Sequence, residues 1–327
     1  MREREAVALV ELQDDMRKWW LTDIGKSMGN TLAKAWGVPI DEFGIYESMS
    51  LRLAQTYWVN ADMADLAGHA AKTMPPQSFV RGDLPCPAGF ALFQEPIQFL
   101  DCNGKMVNVR AVVWRPFFFA DVGQARMEYA KNSEAALEQS SGVYLTTYMD
   151  PHGTDDYSEE ASFKRLAHLL APLHPLGRII IPFGTKQCFE EGHFASAGSP
   201  PEKRQEITDS GLALYRLMPA IWTLMQQRLA RTTETEQARQ SRRRLERTDS
   251  PLKERKVRVI TLRQFHRRVD QGGAAPEHTH RWIVSGHWRN QWLPSKNMHR
   301  LQWISAFVKG PEDKPLVFKP TVHQLVR

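Results

Sequence analysis

A chain of 327 residues and 37.5 kDa carries an expectation of about two domains. Hydrophobic residues make up 42% and charged residues 24%, which excludes a chain disordered throughout. Three scattered cysteines (Cys86, Cys102, Cys188) with no CxxC pair exclude a disulfide framework and a zinc ribbon, and point to a reducing, cytoplasmic setting. The net charge of +6 is unevenly spread: residues 228–327 hold 22 Lys and Arg against 9 Asp and Glu, a net of +13, which leaves −7 for residues 1–227. A basic third on an acidic body points to a polyanion-binding module.

The opening MREREAVALVELQDDMRKWW places charges on both sides of a short apolar stretch, unlike a signal peptide. No window approaches the ~18 apolar residues of a bilayer-spanning helix, so no membrane partner is expected. Val7, Val10, Leu12, Met16, Trp19 or Trp20, Ile24 and Met28 recur at three- and four-residue steps, which predicts helix over 4–35, weakened at Gly25 and with Gly29 as its candidate end. Two further helices are predicted over 47–57 and 61–74, closed by Pro75 and Pro76. Residues 1–80 therefore read as a helical section.

From Arg81 the pattern turns to strands. ALFQEPIQFL and KMVNVRAVVWRPFFF flank DCNG, a hairpin signal in which Asn103-Gly104 suits a type I′ turn. GVYLTTYMD (142–150) and GRIIIPFG (177–184) add two strands, with a helix expected around 160–170 between them. His152, Asp155 and Asp156, like Glu190, Glu191 and His193, sit in turn-rich stretches without a ligand spacing and read as surface loops. Helix is expected from 201 to 247, apolar at Leu214, Leu217, Met218, Ile221 and Leu224 and then polar and basic through Arg242, Arg243 and Arg244. Ser250-Pro251 marks the expected boundary between an 81–250 body and a 251–327 module.

In that module KVRVITLRQF, RWIVSGHWRNQWLPS, HRLQWISAFVKGP and PLVFKPTVHQLVR are short β-rich runs separated by Gly or Pro, which predicts three or four antiparallel strands. Trp282, Trp288, Trp292 and Trp303 are interleaved with cations. Such a pattern suits nucleic acid, because Arg and Lys neutralise phosphates while aromatic faces stack on bases. Arg281, Arg289, Lys296, Arg300 and Lys309 are the candidate phosphate contacts and Trp288 and Trp292 the candidate stacking residues, with Arg242, Arg243 and Arg244 adding sequence-independent attraction. In an extended strand Trp288, Asn290 and Trp292 share one face and His287, Arg289 and Gln291 the other.

The same stretch holds the residue types of a metal-independent ribonuclease: His287 with His280 or His299 as acid and base, and Arg289 or Arg281 for the crowded phosphorane. No spacing defines such a site, so His287, Arg289 and His299 are an alternative, toxin-like reading. His278-x-His280 with His287 and His299 lacks a cysteine or carboxylate at a familiar zinc interval, and no metal is expected. No GxxxxGK[ST] or GxGxxG is present, so no nucleotide cofactor is expected either. A third reading is a protein–protein factor whose basic tail docks an acidic partner or its own acidic front.

RWIVSGHWRNQW, WISAFVKGPEDKPL and LPCPAGFALFQEPI resemble segments of an uncharacterised family of actinobacterial, actinophage and mobile-element proteins with a C-terminal GHWRxQ…KGP module. Ser285 stands where that family commonly has an arginine. The resemblance implies a phage or mobile-element context and carries no established activity or catalytic residues. The fold expected is α+β: a helical N-terminal section, a small and mostly antiparallel sheet, a long basic helix and a compact C-terminal antiparallel β-domain.

Overall fold

The computed structural model describes residues 2–35, 43–75, 79–101, 103–118, 133–154, 156, 159–161, 164, 169–184, 201–227, 229–262, 282–284, 286–304 and 307–309. The protein is α+β and divides into two units, Met1–Arg263 and Gln264–Arg327. The division falls after a strand that the sequence places in the C-terminal module, so the boundary at 250 is corrected to 263.

The first helical run is two helices, α1 (Arg2–Trp19) and α2 (Asp23–Ala35). The break falls at residues 20–22, where Thr22 Oγ1 accepts the Gly25 backbone N–H at 3.1 Å and so caps α2. Gly25 and Gly29 lie inside α2 rather than at its end. Helix α3 (Phe43–Leu53) follows, and then QTYWV forms a strand, β1 (Gln55–Val59), where helix was expected. Four of its five residues are buried, and sheet neighbours flank it on both sides, so it lacks the apolar–polar alternation of a half-exposed strand. Helix α4 (Ala61–Thr73) starts where Asn60 accepts the Met63 N–H at 3.0 Å.

β2 (Gly89–Leu100) and β3 (Met106–Phe117) form the expected hairpin. Its turn is not type I′, because Gly104 takes φ +75° while Asn103 has no positive φ. The Asp101 carboxylate instead accepts the N–H groups of Asn103 and Lys105 at 2.9 and 2.8 Å, an Asx-type closure. After α5 (Ser133–Gln139) come β4 (Gly142–Met149) and β5 (His174–Pro182). Most of the helix expected around 160–170, and the cluster at Glu190, Glu191 and His193, lie outside the described residues, as does Asp155. Asp150 and Asp156 accept the N–H groups of His152 and Met106, tying loops as the surface reading requires.

Helix α6 (Arg204–Met225) is shorter than expected, because ARTTET forms β6 (Ala230–Thr235) before α7 (Arg239–Arg247). The β-branched Thr232, Thr233 and Thr235 favour a strand, and β7 (Val257–Leu262) supplies its partner. The sheet has seven strands in the order β5-β4-β3-β2-β1-β7-β6 and is mixed: β1 runs parallel to β2 and β7, and the other pairs are antiparallel.

Strand alternation gives the sheet two buried faces. On one, Trp58, Phe90 and Val113 join Leu9, Met16, Phe43 and Leu51 from α1 and α3 in a single cluster. On the other, Tyr57, Trp114 and Trp222 of α6 form an aromatic chain with centroids 5.3 and 5.5 Å apart. The second unit contributes β8 (Trp282–Val284), β9 (His287–Leu293), β10 (Met298–Ile304) and β11 (Phe307–Lys309), arranged as antiparallel ladders β9–β10 and β8–β11. Among the described residues no helix is long and apolar enough to cross a membrane.

Candidate nucleic-acid interface

Three consecutive arginines on a helix point in three directions, since each residue advances by about 100°. In α7 this separates Arg242, Arg243 and Arg244 by role. Ser241 and Leu245 are buried, and Arg244 on the same side forms ion pairs with Glu11 at 3.1 Å and Asp15 at 3.3 Å of α1. Arg244 therefore docks the helix on the acidic N-terminal section, and two carboxylates already offset the charge it was expected to add to sequence-independent attraction. Arg242 pairs with Glu246 one turn on, at 3.4 Å.

Arg243 lies on the opposite side from Leu245, in line with Arg239 and Arg247 at i−4 and i+4. All three are exposed, and none forms an ion pair with a described residue. Successive members are about 6 Å apart along the axis. Like charges at this spacing cost an isolated helix about 0.2–0.5 kcal/mol per pair, so the row does not exist to stabilise α7. Arg239 and Arg247 stand outside the consecutive run that the sequence reading favours; their signal is the four-residue interval.

The β9–β10 hairpin sorts its side chains equally strictly. Directly paired residues share a face, and the register pairs Trp288 with Trp303, Trp292 with His299, Arg289 with Gln302 and Gln291 with Arg300. One face thus carries Trp288, Trp292, His299 and Trp303, and the other His287, Arg289 and Arg300. On the aromatic face Trp303 is 6% exposed and meets Trp288 edge-on at 5.2 Å. Trp292 is 41% exposed and lies 4.8 Å from the His299 ring. On the cationic face Arg289 and Arg300 are diagonal neighbours across the ladder.

Cations and indoles on this hairpin therefore do not share a face, as alternation along β9 already implies. Nor does the triad assemble. His287 and Arg289 share a face, but His299 is on the other and about 17 Å along the ladder from His287, too far for an acid–base pair. Lys296 lies in the 3-10 turn Pro294–Lys296 that joins the strands, and Lys309 lies in β11 opposite Trp282. Arg281, His278 and His280 lie outside the described residues. Among the described residues no three His, Cys, Asp or Glu side chains cluster as metal ligands would.

No family model matches the chain, and no curated protein matches it significantly.

Proposed function

We propose that the protein binds nucleic acid, RNA or DNA, through the arginine row of α7 and the two-faced β9–β10 hairpin. The observation that carries this reading is the exposed alignment of Arg239, Arg243 and Arg247, without an ion-pair partner among the described residues, on the side of α7 turned away from α1. Such a row contacts phosphates without reading sequence. The hairpin adds a second cationic patch at Arg289 and Arg300 and, on its reverse, an exposed indole at Trp292 for stacking on an unpaired base. A phage or mobile-element context, as the GHWRxQ…KGP segments suggest, belongs to the same proposal.

Nuclease chemistry is less well supported. His287 has no second acid–base side chain on its face of the hairpin among the described residues. Docking of a separate acidic protein is weakened as well, because Glu11 and Asp15 of the chain itself already engage Arg244.

The test is fluorescence anisotropy with labelled single-stranded RNA and duplex DNA over about 50–200 mM salt. Replacing Arg239, Arg243 and Arg247 together by Gln is expected to weaken binding and to flatten the slope of log affinity against log salt by two to three, about one per cation removed. An unchanged slope and affinity would overturn the assignment.

A further inference from the structure

The guanidinium of Arg255 is half-buried and shares its surroundings with two other cations, Lys256 and Arg258. Its hydrogen bond is to a neutral group, the Arg52 carbonyl at 2.8 Å, and it forms no ion pair with a described residue. It lines a pocket of about 320 Å³ at the N-terminal ends of β1 and β7, together with Gln55, Glu234, Glu254, Lys256 and Arg258. That volume is at the small end of ligand sites, which run from about 300 to 1,000 Å³.

The fold prepares the pocket's donors. Arg258 donates to the Tyr57 hydroxyl at 3.1 Å, and that hydroxyl is 3.0 Å from Gln55 Oε1. Burial pushes the Tyr57 phenol well above its ordinary value, so it keeps its proton, and of its two acceptors the Gln55 oxygen at 3.0 Å is stronger and nearer than the Cys86 sulfur at 3.4 Å. The Gln55 amide is thereby oriented, with its NH₂ left for a ligand. Arg258 and Lys256 are only loosely satisfied by carboxylates: Glu234 is 3.4 Å from Arg258 and 3.9 Å from Lys256, and Glu236 is 3.3 Å from Lys256.

We propose that this pocket binds a small phosphate monoester, held chiefly by Arg255 with charge from Arg258 and Lys256 and a hydrogen bond from the Gln55 amide. Guanidinium forks and an ammonium match the several acceptor oxygens of a phosphate. Glu254 is placed to accept from hydroxyls next to it. Burial, with repulsion from Arg258, holds Arg255 below the usual guanidinium range, and a bound dianion relieves that cost. The phosphate comes either from a free small molecule or from the end of a nucleic-acid strand. The site is independent of the α7 row.

Calorimetric titration of the full chain tests it, at an ionic strength fixed with chloride. The ligands are inorganic phosphate and one oligonucleotide with either a 5′-phosphate or a 5′-hydroxyl. Saturable phosphate binding is expected, weakened about tenfold or more by Arg255→Met and several-fold by Lys256→Gln, and unchanged by the triple Arg239→Gln, Arg243→Gln, Arg247→Gln variant. Lys256 is exposed, so its variant keeps the test valid if Arg255→Met fails to fold. Preference for the 5′-phosphate that disappears with Arg255→Met identifies a strand end as the source; phosphate binding without that preference identifies a free ligand. No phosphate binding beyond chloride, or binding that both single variants leave intact, would overturn the proposal, and loss of salt-dependent RNA affinity in the triple variant would stand regardless.

Discussion

Arg115 on β3 hydrogen-bonds Glu47 on α3, and neither side chain has any solvent exposure. Thr146 donates to Glu47 at 3.1 Å and Tyr148 at 3.0 Å, while Tyr144 stacks 4.2 Å from the guanidinium. Burial alone would lower the Arg115 pKa, but the adjacent carboxylate and phenols leave it raised, so the arginine stays charged. The network joins α3 to the middle of the sheet on the face that also packs α1.

Such a pair is costly to break from one side. Arg115→Met leaves Glu47 buried without a counter-ion and is expected to cost about 3–5 kcal/mol in urea unfolding. The double variant Glu47→Leu, Arg115→Met is expected to cost less than the sum of its single changes, because it leaves no isolated charge. Additive costs would show that the two side chains do not act as a unit.

The three consecutive arginines of α7 should separate by assay. Arg244→Ala removes the ties to Glu11 and Asp15 and is expected to lower stability by up to about 1 kcal/mol, because the pairs are partly exposed. Arg243→Ala removes a like charge from the row, so stability is expected to hold or rise slightly while the salt slope of nucleic-acid binding falls by about one. If the two effects are exchanged, Arg244 rather than Arg243 faces the ligand.

What the sequence discloses follows from how local each signal is. The β2–β3 hairpin and the Asn60-capped helix α4 rest on neighbouring residues and are legible. β1 is not, because burial on both sides of QTYWV erases the alternation that marks a half-exposed strand. β6 is hidden because its partner, β7, comes from the far side of α7, in a stretch whose composition matches the C-terminal module. The Glu47–Arg115 pair spans 68 positions and has no spacing signature. The arginine row is present in the sequence as a four-residue period, masked by the more conspicuous consecutive run. The face separation on β9, in contrast, follows from alternation alone; the register with β10 is what places Arg300 with Arg289 and His299 with the indoles.

His174, at the start of β5 opposite Met149, is held neutral by burial, with its pKa pushed down to about 4 from 6.5. Because the folded value lies below the unfolded one, the neutral imidazole's contribution is complete above about pH 6.5 and is lost as the pH falls through 4. Unfolding free energy is expected to fall over that interval by no more than about 3 kcal/mol on this account. His174→Gln should flatten that limb in denaturation measured from pH 7 to 4. The same slope in both proteins would assign the acid sensitivity to carboxylates instead.

Trp292 and Trp303 lie on one face of the hairpin and should nonetheless behave oppositely. Trp303, at 6% exposure against Trp288, anchors the ladder, and Trp303→Ala is expected to destabilise the second unit by about 3 kcal/mol or more. Trp292, at 41% exposure, loses little on folding when truncated, but its free indole surface is what an unstacked base would cover. Trp292→Ala is therefore expected to weaken single-stranded RNA binding by about 1–3 kcal/mol and to leave duplex DNA binding nearly unchanged, since paired bases offer no free face. The contrast separates stacking from charge, because neither substitution alters the cation count. Equal losses on duplex and single strand would place Trp292 in the packing of the hairpin and leave binding to the cations, Arg289 and Arg300 in one unit and the α7 row in the other.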